Sequence, residues 1–408
     1  MTPPRVNRDR LWSALMEIGR IGETPDGGCR RLALTQEDAQ ARALLTQWAQ
    51  AAGCSVSSDA IGNLFLRRPG AQDDAPAVAM GSHLDTVRTG GKFDGVLGVI
   101  GGLEVLRVLH ETDTRMRAPV ELMVWTNEEG ARFSPMTMGS SVFVGDIALD
   151  FALAQRDPDG VSVAEALARS GLAGERRGSH PLAAYLELHV EQGPLLKEGG
   201  EAIGVVTGSF RAHYLVASIT GEAGHVGPAL MEHRRDALAA AAELTLTIER
   251  IGRSRGRDGR SNAPHVEVSP NARGVIPASV RLSCDVRHAD PAEVERMEEE
   301  LRMATRDIAA RRGVGVTLEP YFQFGPLACD GSMADLVRRQ ADALGLRRRD
   351  LLTVASHDAV PMMRFCPTAL FFVPSETGVS HNPTEFSTPD QCGDGADVLL
   401  NAVLELAN

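Results

Sequence analysis

Basic residues are outnumbered in this sequence: 42 Lys and Arg against 54 Asp and Glu give a formal net charge of −12. A partner with a phosphate backbone calls for a basic face, so nucleic acid is not an expected partner. No apolar run approaches the roughly 20 residues of a membrane span. The opening residues, MTPPRVNRDRLWSALMEIG, lack the apolar stretch of a signal peptide. The six cysteines, Cys29, Cys54, Cys284, Cys329, Cys366 and Cys392, form no CxxC pair, which argues against a disulfide framework and a thiolate zinc knuckle. There is no tandem repeat or low-complexity linker, and the one flexible basic stretch, GRSRGRDGRSN, is expected to be a solvated surface turn. These absences leave a cytoplasmic enzyme or binding protein, without a membrane partner, as the expectation.

What is present is an alternation of strands and helices. TQEDAQARALLTQWAQAAG opens with Thr35 three residues before Asp38 and stops at Gly53, as a capped helix does. IGNLFLRRPG, PAVAMGSH and VELMVWTNEEG are short apolar runs ending in polar clusters, separated by helical stretches such as VIGGLEVLRVLHE. Strands alternating with helices predict an α/β domain, a mixed sheet covered by helices, with ligands beyond the carboxyl ends of the strands. Between residues 209 and 324 the pattern changes to RAHYLVASI, an alanine-rich helix, HVEVSPN, SVRLSCDVRHA, a charged helix and VGVTLEPYF. This β-α-β-β-α-β order predicts a smaller α+β domain inserted into a larger one formed by residues 1–208 and 325–408.

Five places bring histidine and carboxylates to predicted strand ends: SHLDT (His83, Asp85), KFDG (Asp94), TNEEG (Glu128, Glu129), LELHVEQG (His189, Glu191) and VSHNP (His381). Taken singly, each is an ordinary structural residue, and Asp94 before Gly95 is a turn. Together, imidazoles and carboxylates in these numbers suit zinc, manganese, cobalt or nickel, and they suffice for two ions sharing one carboxylate. Paired cations polarise a carbonyl and lower the pKa of a water toward about 7, so hydrolysis is the natural reaction. Consecutive acids at a strand end point different ways, so of Glu128 and Glu129 one can bind metal while the other acts as general base.

GSHLDT, GGKFDGVLGVIGGLEVL, WTNEEGARF, LHVEQGP, GHVGPALMEHRRDAL, SHDAVPM and FVPSETGVSHNPTEFS occur in this order. Together they resemble the N-carbamoyl-L-amino-acid amidohydrolase and allantoate amidohydrolase branch of the bimetallic aminoacylase and carboxypeptidase superfamily. The resemblance implies His83 and His189 on one metal, Glu129 and His381 on the other, Asp94 bridging them, and Glu128 as the base. It implies that Asp85 orients the His83 imidazole, as metal-bound histidines require. His225, in TGEAGHVG, would stabilise the oxyanion in the partner subunit's active site, which makes the chain a homodimer joined and lidded by the inserted domain. Arg287 would pair with a substrate carboxylate, and Gln192 and His357 would line the pocket.

Two positions depart from the pattern. Gly274 stands where relatives carry asparagine, and Ala212 where they carry glutamine. These amides help hold the substrate in the family, so simple N-carbamoyl-L-amino acids and allantoate are expected to be poor substrates. Asn271, Arg211 and His213 are the nearby candidates for replacement contacts. The competing readings are a superfamily peptidase or N-acyl amino acid deacylase, a catalytically silent metal-binding protein, and a nucleotide-binding protein using GVLGVIGG, whose glycines do not follow GxGxxG. A serine hydrolase has little support.

Overall fold

The computed structural model describes residues 3–176 and 178–408. The chain divides into two compact units. One comprises residues 1–207, 329–351 and 356–408, and the other residues 208–328 and 352–355. The chain first lays down β1 (Ser55–Ser58), β2 (Leu64–Arg68), β3 (Ala77–His83), β4 (Val120–Trp125), β5 (Leu182–Val190) and β6 (Ile203–Ser209). It then builds the second unit from β7 (Arg211–Thr220), β8 (Gly224–His225), β9 (Arg260–Asn262), β10 (Val266–Ser269), β11 (Val275–Ile276), β12 (Ser279–His288) and β13 (Gly315–Phe324). It returns as β14 (Arg348–Thr353) and β15 (Thr368–Val373).

In the first unit eight strands form one mixed sheet in the order β1-β2-β4-β3-β5-β15-β6-β14. Its four middle strands, β4, β3, β5 and β15, are mutually parallel. Strands β3, β4 and β15 are buried along their whole length, as expected for parallel strands covered on both faces. The helix Val96–Glu111 is part of that cover, and GVLGVIGG forms its first turns: Gly98 packs so close to the Leu188 carbonyl that a Cβ would come within 2.4 Å. These glycines bring helix against sheet, which removes the nucleotide-loop reading. The helix Gln36–Ala51 is capped by the Thr35 hydroxyl, which accepts from the Asp38 N–H at 3.4 Å.

In the second unit β10-β12-β7-β13 form an antiparallel sheet, with β9 also pairing with β12, while β8 and β11 pair separately. Leu215, Ala217 and Ile219 of β7 join the apolar core with the helices Ala237–Arg253 and Pro291–Arg312. The stretch GRSRGRDGRSN is more ordered than a surface turn, because its last residues become β9. It also contains the string GRSRG, but at the end of a helix rather than at the strand-to-helix elbow that a serine nucleophile needs. Among the described residues, no helix is long and apolar enough to cross a membrane.

Candidate active site

Because β4, β3, β5 and β15 run parallel, their carboxyl ends lie along one edge of the sheet. That edge gathers motifs separated by up to 298 residues. His83 ends β3, His189 is the penultimate residue of β5, Glu128 and Glu129 follow β4, and His381 follows β15. Asp94 lies in the turn that leads into the helix Val96–Glu111.

His83 Nδ1 bonds the Asp85 carbonyl and His189 Nδ1 the Val190 carbonyl, both at 2.9 Å. Each Nδ1 therefore carries the proton, and each Nε2 turns its lone pair inward. Gly95 N–H donates to His189 Nε2 at 3.0 Å, consistent with that tautomer. Asp94 Oδ1 lies 3.0 Å from His189 Nε2 and 3.7 Å from His83 Nε2. Asp94 Oδ2 lies 3.5 Å from His381 Nε2, which in turn is 3.3 Å from Glu129 Oε2. Two donor groups result, His83–Asp94–His189 and Asp94–Glu129–His381, each able to offer ligand atoms within 4.8 Å of one another. Gly95 makes this packing possible. With φ +69° it lies in the left-handed region, and a Cβ there would stand 2.4–2.5 Å from the His83 ring.

The Asp85 carboxylate has a different task from the one expected. The backbone carbonyl of Asp85 orients His83, while its side-chain oxygens accept the N–H groups of Glu128 (3.2 Å) and Glu129 (3.3 Å). Asp85 thus positions the turn that carries both glutamates. Asn127, at φ 57°, braces the other side of that turn through the carbonyls of Phe133 and Pro135. Gln192 and His381 also adopt positive φ, at 62° and 54°, so three non-glycine residues at this edge hold a sparsely populated conformation. Gln192 Nε2 donates to Asp94 Oδ2 at 2.8 Å. Glu191, by contrast, caps the short helix Leu195–Gly199 through the N–H groups of Leu195 and Leu196 and stays outside the donor groups.

Glu128 Oε2 lies 3.5 Å from His83 Nε2. Burial, then Asp358 and Glu129, push its carboxyl well above the usual range. Burial raises Asp85, Glu187 and Glu385 to about 7, and burial with Glu187 drives Asp358 well upward. So many buried carboxylates call for positive charge, and the imidazole and carboxylate donors present are those that divalent cations use. Four further carboxyl or hydroxyl groups, Glu187, Asp358, Ser380 and Glu385, belong to this edge although the sequence reading assigned them nothing. All lay inside the quoted motifs, and the available signal was their nearness to His189, His357 and His381. The ring of His357 packs 4.5 Å from that of His189, and its buried Nε2 has no hydrogen-bond partner among the described residues.

The remaining candidates belong to the second unit. His225 is exposed on β8, its Nδ1 accepting from Gly227 N–H at 3.1 Å, and it pairs with Val275 beside Gly274. Asn271 is exposed in the preceding turn. Arg287 is held by Asp285, by the Val354 carbonyl at 3.0 Å and over the Tyr214 ring at 5.1 Å; Nε and one N–H on each terminal nitrogen are used, which leaves two N–H groups without a partner among the described residues. Ala212 is fully buried opposite Arg287 on β7. Arg211 and His213 are not gathered with these residues. His213 Nδ1 bonds Glu298 of the helix Pro291–Arg312 at 2.5 Å, and Arg211 donates to His213 at 2.9 Å and to Gln323 at 2.7 Å.

Comparison with known proteins places this arrangement. Residues 79–405 match the family described as Peptidase family M20/M25/M40. An N-carbamoyl-L-amino-acid amidohydrolase from Rhizobium meliloti is 38% identical over 404 residues, covering 99% of this chain and 97% of the relative. A ureidoglycolate hydrolase from Arabidopsis thaliana is 32% identical, covering 98% and 87%. The crystal structure of a hydantoinase/carbamoylase family amidase from Burkholderia vietnamiensis superposes with a TM-score of 0.95 at 43% identity, covering 99% and 98%. The fold, the ordered motifs and these full-length likenesses together establish that the chain belongs to peptidase family M20/M25/M40, in its hydantoinase/carbamoylase amidase branch.

Proposed function

We propose that this amidohydrolase cleaves the linear C–N bond of an N-carbamoyl, ureido or N-acyl amino acid with two divalent cations in place. His83 and His189 would hold one cation, Glu129 and His381 the other, and Asp94 both; zinc, manganese, cobalt and nickel all accept such donors. The observation that carries this reading is Asp94, whose two oxygens face separate donor groups at 3.0–3.7 Å and 3.5 Å. Bound there, paired cations would polarise a carbonyl and make a water acidic near neutral pH.

The chain's own residues supply the rest. Glu128, beside the donors but outside both groups, takes the proton of the attacking water and returns it to the leaving nitrogen. The two unused N–H groups of Arg287 bind the substrate carboxylate. The unpartnered Nε2 of His357 bonds the substrate, and Gln192 helps close the pocket around it. His225 stabilises the developing oxyanion from the partner subunit of a homodimer, and the protein works in the cytoplasm. The names of the relatives, N-carbamoyl-L-amino-acid amidohydrolase and ureidoglycolate hydrolase, support this substrate class.

Metal analysis combined with a screen of N-carbamoyl, ureido and N-acyl amino acids, read by ammonia and amino acid release, tests the proposal. The expected result is two transition-metal ions per chain and hydrolysis that a chelator abolishes and added metal restores. A chain that binds no metal, or that leaves all three classes intact, overturns it.

A further inference from the structure

We infer that Glu385 is the positioning residue that makes Asp94 a shared carboxylate, acting on its backbone directly and on its side chain through Ser380. The inference rests on the two-cation reading above.

Glu385 is 4% exposed and sits in the turn after β15, 291 residues from Asp94. Its Oε1 accepts the N–H groups of Phe93 at 3.2 Å and Asp94 at 3.0 Å, which fixes where the Asp94 backbone stands. The Ser380 hydroxyl lies within hydrogen-bond reach of both Glu385 Oε2 and Asp94 Oδ2, the latter at 2.8 Å, so its single proton is shared between the two carboxyls. One carboxyl therefore constrains Asp94 from both ends. An aspartate whose backbone alone was fixed could rotate about χ2 and offer both oxygens to one donor group. With Oδ2 tethered by Ser380 and Gln192, Oδ1 is left facing His83 and His189. The opposite wall of the Glu385 seat is Gly91, where a Cβ would fall 2.4 Å from Glu385 Oε1 and 2.5 Å from its Cβ. The second glycine of GGKFDG thus leaves the room that Glu385, from the turn after β15, occupies.

Metal-free enzyme reloaded with Mn(II) tests the role without relying on turnover. The parent should bind two Mn(II) ions per chain and give the electron paramagnetic resonance spectrum of an exchange-coupled pair. Glu385→Ala should lose roughly 10- to 100-fold in affinity for one ion, the usual effect of removing a partner that orients a ligand. The remaining Mn(II) should then give an uncoupled six-line signal. Ser380→Ala should shift both readouts the same way by a smaller factor, because Gln192 still tethers Oδ2. Glu385→Gln should keep the coupled signal: its amide oxygen can accept both backbone N–H groups, and its amide N–H can donate to Ser380, whose proton then goes to Asp94 alone instead of being shared. A folded Glu385→Ala with parental affinity and coupling overturns the inference. If that variant fails to fold, undisturbed affinity and coupling in Ser380→Ala do so. A parent without a coupled pair sinks the two-cation reading along with it, whereas a coupled parent with indifferent variants sinks the positioning role alone.

Discussion

Glu128 and Glu129 are neighbours in the chain with different surroundings. Glu129 lies 3.3 Å from His381, within a donor group, while Glu128 lies outside both groups. Glu128→Gln keeps the size of the side chain but cannot accept a proton, so kcat should fall on the order of 10² to 10⁴ while the proposed metal ions stay bound. Loss of metal from that variant, with retention in Glu129→Gln, would exchange the two roles. Gly95→Ala is the second discriminating change, since its Cβ would overlap the His83 ring and its φ of +69° disfavours a side chain. It should weaken metal binding about tenfold or more while circular dichroism stays parental. Most of the histidines and acids of this site were legible because they end or follow an apolar run that reads as a strand, whereas Asp94, expected at a strand end, lies in the turn before a helix. The work of Asp85 and Glu385 was not legible, because it depends on which backbone N–H groups a carboxylate meets 43 and 291 residues away.

At the level of single elements, strand β7 carried more information than its motif suggested. Side chains alternate along a strand, so Arg211 and His213 share the face of Leu215, Ala217 and Ile219 that packs on the helices, while Ala212 and Tyr214 share the other. That parity, visible in RAHYLVASI, already points His213 away from the Arg287 face and toward Glu298. Ala212 and Gly274 therefore have no evident replacement in Arg211 or His213. The unmodified enzyme should be poor on N-carbamoyl-L-methionine and allantoate, since each unmet hydrogen bond costs about 1 to 3 kcal/mol, and better on bulkier N-acyl amino acids. Ala212→Gln with Gly274→Asn should shift preference back. Position 274 admits the change: a Cβ there meets none of the described residues within 4 Å, and asparagine tolerates its φ of +81° better than most residues. Comparing kcat/KM for both enzymes on the three substrates decides it, and high parental activity on the carbamoyl compound would refute the expectation.

For the whole molecule, the proposed dimer makes a prediction that no single chain can satisfy. If His225 serves the partner's site, His225→Ala and Glu128→Gln chains, each inactive alone, should regain activity when mixed, because one site of each heterodimer then holds both residues. Demonstrably mixed dimers without recovery would confine His225 to its own subunit. The α/β alternation and the β-α-β-β-α-β stretch could be read from periodicity, but the sheet order could not, since pairing between distant strands leaves no local signature. That order has a consequence for biosynthesis. β15 lies between β5 and β6, which precede it by more than 150 residues and by the entire second unit. Until β15 has been made, the edges of β5 and β6 that it joins lack their partner in the sheet. The strand that joins them also leads into the turn bearing His381 and Glu385. Completion of the sheet would therefore coincide with completion of the second proposed donor group, Asp94–Glu129–His381, and folding intermediates stalled before it would expose the unpaired edges.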